Sequence, residues 1–397
     1  MPKKTAASTR KWTFPARFRK GMYSWKGSQK AAVRVKEAVS EIKAVARRDP
    51  ERAAEGAVRF VEQLVPAIEH IDTSSGTLGT AVNNAIWALV PVIGKAPLAS
   101  PKRVDLLERL RNAWRSDDYG FLDPIPACWA ELCADEETLL HYVNEMEQFE
   151  LWDRRAYFGC LFALGRFPQL VALLERERPS SWDIQQWGAR ALAEMRQYEE
   201  AREWAEECLY NAYEWDKASP AGFLEELLLR QGLPDTAFTE FAIPANWKTT
   251  RLATFRAIQK KYPAIEADDI LDHLAAHTPG EEGKWFAAAK SVGLLERAAE
   301  LAETSPTDFK TLLRAARDFA DTDPHFASRV AYAALHWLAA GYGYDVLPTD
   351  VTRTFALGLE LAARTDSLPT FLTRVDALAE AAPAWGAHLK DLIQTAS

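Results

Sequence analysis

Asp269, His273 and His277 fall at i, i+4 and i+8. That spacing brings all three near one face of a helix, and a carboxylate with two imidazoles is a donor set that could ligate a metal ion. At 1.5 Å per residue the third ligand lies about 12 Å along the axis from the first, too far for one ion to be held by all three. Glu281 and Glu282 follow closely, and the plainer reading is a solvated polar face without a metal. The segment DTSSGTLGTAVNN, Asp72 to Asn84, puts small and hydroxyl-bearing residues ahead of a helix start, where free N–H groups attract anions. It lacks the Gly-Lys-Ser/Thr ending of a phosphate loop and no strand precedes it, so a helix cap with a tight interhelical turn accounts for it better. There is no GxSxG elbow, no HExxH and no paired CxxC, and Cys128 and Cys133 are five residues apart on different sides of a helix. These residues assign no catalytic group and no cofactor.

The N-terminus is different. Trp12, Phe14, Phe18, Tyr23 and Trp25 alternate with Arg10, Lys11, Arg17, Arg19, Lys20 and Lys26, outside any periodic helix. Cations neutralise phosphate and aromatic faces stack on bases, so this interleaving has the composition of a nucleic-acid contact. It equally suits docking onto the acidic body of the same chain or onto an acidic partner, or a disordered tail. The candidate binding residues are Arg10, Lys11, Trp12, Arg17, Arg19, Lys20, Tyr23, Trp25 and Lys26. Residues 1–48 hold 14 Lys or Arg against only Glu37 and Glu41, a balance of +12, whereas the remainder carries 34 basic and 54 acidic residues. A basic arm is attached to an acidic body.

The elements that must position these groups read as helices. The chain has 397 residues with 66 alanines and 19 glycines, and alanine loses no side-chain entropy on entering a helix. From about Ser28, Val35, Ala38, Val39, Ile42 and Val45 recur at steps of three and four, the stripe of a helix with one buried face. Arg47 and Arg48 suit its C-terminus. Asp49-Pro50 then reads as an N-cap followed by a first-turn proline, and the same punctuation at Ser100-Pro101, Ser305-Pro306 and Asp323-Pro324 predicts further helix starts. GYGYDVLP is the clearest loop.

LGRFPQLVALL, MRQYEEAREWA, RQGLPDTAFTEF and VGLLERAAELA share a turn-like start and a large apolar residue at Phe167, Tyr198, Leu233 and Leu295, with a degenerate member at Tyr262. Their spacings of 31, 35, 29 and 33 approach the 34-residue tetratricopeptide unit, whose paired helices bury their faces by stacking on the next pair. A non-repetitive bundle with loops at similar intervals is the alternative. The expected fold is therefore all-α: an α-solenoid of antiparallel helix pairs, tetratricopeptide-like or HEAT-like. The basic arm would occupy 1–26, an N-terminal helical region 27–150, the repeats 151–300 and a helical cap 301–397. Most of the 14 tryptophans, including Trp87, Trp204, Trp285 and Trp337, lie in helical runs where core packing explains them, and His336 reads as packed beside Trp337.

Four cysteines (Cys128, Cys133, Cys160, Cys208) are too few for a disulfide framework in a chain this long, which suits a reducing cytoplasm. The longest strongly apolar stretch, Ala85 to Gly94, is about half of what a bilayer crossing needs and contains Pro91, so no membrane contact is expected. FRKGMYSWKGSQKA, VARRDPERAAEGAV, EHIDTSSGTLGTAVNNAI, WAELC, LATFRAI, GKWFAAAK, LRAARDFADTDPHFA and ALHWLAAGYGYDV resemble, nearly end to end, a widespread set of uncharacterised bacterial helical-repeat proteins. That resemblance implies a bacterial cytoplasmic protein and carries over no catalytic residues. The function expected from all of this is a non-enzymatic scaffold or adaptor whose concave face binds a protein partner. The second reading is a nucleic-acid-binding helical-repeat protein that uses the basic arm.

Overall fold

The apolar stripe of Val35, Ala38 and Ile42 is fully buried on one face of the first helix, α1 (Trp25–Ala46). The computed structural model describes residues 11–17, 25–68, 74, 76–148, 153–177, 179–213, 216–382 and 384–396. The protein is all-helical, with 78% of its residues in helix, and the described residues contain no strand. Backbone hydrogen bonds are thus met within each helix, and the fold rests on how side chains pack between helices.

Contacts group the chain into two compact units, Met1–Asn211 and Ala212–Ser397. In the first, α1 packs on α2 (Pro50–Ile68) and α3 (Thr77–Gly94), and α2 packs on α4 (Ser100–Arg115). Short α5 (Pro124–Ala127) and α6 (Trp129–Cys133) then lead to α7 (Glu136–Gln148), α8 (Arg154–Ala163), α9 (Phe167–Glu177), α10 (Trp182–Glu194) and α11 (Tyr198–Asn211). The second unit runs α12 (Ala218–Arg230), α13 (Pro234–Asn246), α14 (Arg251–Lys261), α15 (Ala267–His277), α16 (Phe286–Ser291), α17 (Leu295–Thr304), α18 (Phe309–Phe319), α19 (Pro324–Ala339), α20 (Pro348–Arg364), α21 (Leu368–Ala381) and α22 (Gly386–Ala396). Trp129, Tyr142 and Phe158 centre the core of the first unit. Phe355, Phe371 and Leu389 belong to a core cluster of the second.

Two of the four expected caps act as their chemistry dictates, whereas Ser100 is already the first residue of α4 and its hydroxyl donates to Asp135 Oδ1 at 3.2 Å. Asp49 Oδ1 accepts the Arg52 N–H at 3.1 Å and Asp323 Oδ1 accepts that of Phe326 at 3.0 Å, with Pro50 and Pro324 opening the helices behind them. Ser305-Pro306 does not open a helix, contrary to expectation. Ser305 is extended (φ −149°, ψ 165°) and buried, and its Oγ accepts the Gly283 N–H at 2.7 Å. The cap comes three residues later, where Asp308 accepts the Thr311 N–H at 2.9 Å.

One turn recurs where the sequence places its repeated anchors. Gly165, Arg196, Gly232 and Gly293 all have positive φ, between 62° and 81°. In each, the left-handed residue donates back to the third residue before it, and the next N–H reaches five residues back: Gly165 to Phe162 and Arg166 to Leu161, Arg196 to Ala193 and Gln197 to Leu192, Gly232 to Leu229 and Leu233 to Leu228, Gly293 to Lys290 and Leu294 to Ala289. This paired bond satisfies the last carbonyls of the preceding helix and starts the next one immediately. Helices α9, α11, α13 and α17 begin this way. The degenerate member differs, since Tyr262 (φ −119°) ends α14 and begins nothing.

Helix α3 is long and apolar enough to cross a membrane by length and composition, with mean hydropathy 1.3, and half of it is buried against other helices. Its Trp87 is 55% exposed, which corrects the expectation of a core tryptophan. Trp285 is fully buried, and Trp337 donates from Nε1 to Ala302 O at 2.7 Å.

Candidate functional site

Helices α9 and α11 each present a stripe at i, i+3, i+4 and i+7: Pro168, Val171, Ala172 and Glu175 on one, Glu200, Glu203, Trp204 and Glu207 on the other. Residues at these steps share a helix face. The two stripes line a groove of about 510 Å³, with Leu192 and Met195 from the end of α10 completing its floor. Trp204 can lie low in the groove because Gly188 of α10 has no side chain. A Cβ there would meet the indole at 2.7 Å. Past Trp204 the concavity continues as a space of about 390 Å³ bordered by Leu174, Pro179, Gln185, Glu207, Cys208 and Asn211.

The charged groups lining this groove are all carboxylates. Glu200, Glu203 and Glu207 are exposed, and their carboxylates form no hydrogen bond or ion pair among the described residues. Gln185 Nε2 donates to Pro179 O at 2.6 Å, while its Oε1 is buried and accepts nothing. Burial, with the charge of Glu207 added, pushes the Cys208 thiol up to about 11, as expected where a negative potential opposes a thiolate. An aromatic floor, unpaired carboxylates and an unmet acceptor together suit a ligand rich in donors and positive charge.

Sequence reasoning missed this site. Its signal was the run YEEAREWAEE, in which acids recur at three- and four-residue steps around a tryptophan.

Of the candidate residues in the basic arm, Arg10, Arg19, Lys20 and Tyr23 lie outside the described residues, as do the side chains of Arg17, Trp25 and Lys26. Lys11 is exposed. Trp12 lies on α2, where Gly56 leaves it room: a Cβ on Gly56 would fall 2.3 Å from the indole. The Arg52 guanidinium sits 5.3 Å from its ring centroid. Next to it, Thr13 donates from N and Oγ1 to the two oxygens of Glu41, at 2.8 and 2.6 Å, and Phe14 is fully buried edge-on against Phe60. This stretch is docked on its own chain.

The other sequence candidates remain apart. His273 is half-buried with its ring 4.7 Å from that of Phe238, while Asp269 and His277 are exposed. Burial, and then the charge of His277, lower the pKa of His273. No cluster of three or more potential metal ligands occurs among the described residues. In the Asp72–Asn84 segment, Gly76 (φ 68°) precedes α3, and the Thr80 hydroxyl donates back to Gly76 O at 3.0 Å. His336 packs against Trp337 with ring centroids 4.6 Å apart.

These features define an all-helical protein in which four helices start from the same tight turn, with an acid-rimmed groove in its first unit. No family model and no curated protein matches the sequence.

Proposed function

We propose that the chain is a helical-repeat scaffold, a solenoid of antiparallel pairs of the tetratricopeptide or HEAT kind, that binds a protein partner through the α9–α11 groove. The partner contributes a segment bearing Lys or Arg. The observation that carries this reading is the groove itself: Trp204 on its floor, the unpaired Glu200, Glu203 and Glu207 on its rim, and the unmet Gln185 acceptor within. Cations over a tryptophan face and charge-assisted bonds to carboxylates are the contacts such a surface offers. The recurring turn at Gly165, Arg196, Gly232 and Gly293 supports repeated helix pairs, because such a turn folds consecutive helices onto each other.

The test is fluorescence anisotropy with a labelled helical peptide carrying arginine at i, i+4 and i+7, beside the same peptide with glutamate at those positions. The arginine peptide should bind, more weakly as salt rises. Glu200→Lys with Glu203→Lys and Glu207→Lys should abolish that binding in a protein of unchanged helicity. Equal affinity for both peptides, or indifference to the triple substitution, would remove the basis of the proposal.

A further inference from the structure

A second concavity, of about 270 Å³ and in the second unit, has the opposite character. Phe309, Lys310, Leu313, Arg314, Arg317 and Asp318 of α18 line it together with Asp350 and Arg353 of α20. Lys310, Arg314 and Arg317 stand at i, i+4 and i+7 on the outer face of a helix whose inner face buries Leu312, Ala315 and Ala316. Residues 212–397 hold 18 Lys or Arg against 26 Asp or Glu, so this cationic cluster is set in an acidic unit.

These cations lack charge partners although they stand together around one cleft. Arg297, Arg329 and Arg364 of the same unit are all held by carboxylates. The side chains of Arg314, Arg317 and Arg353 form no ion pair or hydrogen bond among the described residues, and that of Lys310 has only the ring of Phe309, 5.5 Å away. Of the two acids present, Asp350 is already engaged, accepting the Leu347 N–H at 3.0 Å to cap α20. The floor is apolar, since Phe309 and Leu313 are 4% and 6% exposed. The loop at Gly343 lies against it: a Cβ there would be 3.7 Å from the Phe309 ring.

We infer that this cleft binds a phosphate monoester carrying a small apolar or aromatic group. Four cations against two carboxylates leave +2, which a phosphate monoester, at about −1.5 to −2 near pH 7, neutralises and a single carboxylate does not. Guanidinium forks match phosphate oxygens in pairs. The volume, just under the range of drug-sized ligand pockets, suits only a small group. The bound phosphate relieves the repulsion among like charges on one helix face, and the apolar substituent covers Phe309 and Leu313.

Isothermal titration of the full chain with phenyl phosphate, inorganic phosphate and benzoate tests this. Phenyl phosphate should saturate and bind about tenfold more tightly than benzoate, with inorganic phosphate weaker than phenyl phosphate. Arg317→Gln and Arg353→Gln should each weaken phenyl phosphate about tenfold, and both residues are exposed, so the fold is not at stake. Asp318→Asn should tighten binding by removing a repelling charge, which no general loss of structure would imitate. A phosphotyrosyl peptide binding more tightly than phenyl phosphate places the ligand on a protein, and one binding no more tightly places it among free small molecules. Benzoate binding as well as phenyl phosphate, absence of saturation, or arginine variants without effect would overturn the inference.

Discussion

Arg103→Met is expected to loosen the first unit by about 3 kcal/mol. Arg103 is 3% exposed and sits in α4, yet its guanidinium serves the ends of two other helices. Nη1 donates to Ile93 O at 3.2 Å and Leu132 O at 3.1 Å, Nη2 donates to Ala96 O at 2.7 Å, and Nε pairs with Asp135 at 3.2 Å. Ile93 O and Leu132 O belong to the C-terminal turns of α3 and α6 and Ala96 O lies just past the end of α3, where a cation also meets the negative end of the helix dipole. Methionine matches much of the side chain's length and apolar stem, so the loss is confined to the polar contacts. Two of the three carbonyls keep a second partner, Ile93 O from the Ala96 N–H and Ala96 O from the Leu98 N–H. Leu132 O keeps none and is orphaned, at a cost of about 1–3 kcal/mol, and the two weakened carbonyls add about 1 kcal/mol. Asp135 is partly solvated and contributes little. Hydrogen exchange should therefore quicken about a hundredfold in peptides covering α3, α4 and α6, since 1.4 kcal/mol is about a factor of ten. Arg103→Lys, which keeps the charge without the fork, should recover about half of the loss. A change below about tenfold for the methionine variant would refute the claim that this cation joins the three helices.

Gly188→Ala and Gly222→Ala both gain helix propensity, about 1 kcal/mol, but only the first meets an obstacle. Nothing lies within 4 Å of a Cβ at Gly222, whereas at Gly188 it would meet Trp204 at 2.7 Å and Leu174 at 3.1 Å. Thermal unfolding should show Gly222→Ala stabilised and Gly188→Ala destabilised by about 1 kcal/mol net, and the latter should also weaken peptide binding at the groove. Stability should fall as the pH is lowered below about 6.5, the ordinary histidine value. Burial lowers the pKa of His273, with His277 adding, and that of His336, with Arg374 adding. The unfolded chain therefore takes up these protons first, and stability is lost between the unfolded and the lower folded values. Melting temperature against pH should show that slope in the native chain and a flatter one in His273→Gln with His336→Gln. Equal slopes would contradict the assignment.

Local chemistry was legible in the sequence wherever one residue settles it. The α1 stripe, the Asp49 and Asp323 caps and the turns before Phe167, Leu233 and Leu295 could be read because caps and left-handed glycines act within a few residues. At Arg196 the turn forms without glycine, where an L-residue accepts a left-handed φ of 62° at roughly 1–2 kcal/mol. Ser305 failed as a cap because Gly283, 22 residues away, claims its hydroxyl. The groove was illegible for a similar reason. By period alone, YEEAREWAEE is a solvated helix face. It becomes a wall only because α9 stands opposite and Gly188 lets Trp204 drop onto α10. Likewise Trp12 and Phe14 have the composition of a stacking arm, and only the distant Glu41, Gly56 and Phe60 turn that stretch inward.

Charge pairing distinguishes the arginines that hold the fold from the charges that line the two concavities. Where arginine serves the fold it is saturated: Arg109 by Glu55 and Glu62, Arg155 by Asp123 and Asp153, Arg329 by Glu296 and Glu303. Lone exposed charges elsewhere need no explanation, since water solvates them. Three like charges at helical spacing along the wall of an apolar-floored concavity are another matter, because they repel one another and gain nothing from the fold. Among the described residues this occurs with carboxylates at Glu200, Glu203 and Glu207, and with cations at Lys310, Arg314 and Arg317 with Arg353 beside them. In each case, under the two proposals, a ligand of opposite sign removes the repulsion. Under the two proposals the sites are separable by experiment: a polyarginine peptide competes only at the first and phosphate only at the second, while added salt weakens both.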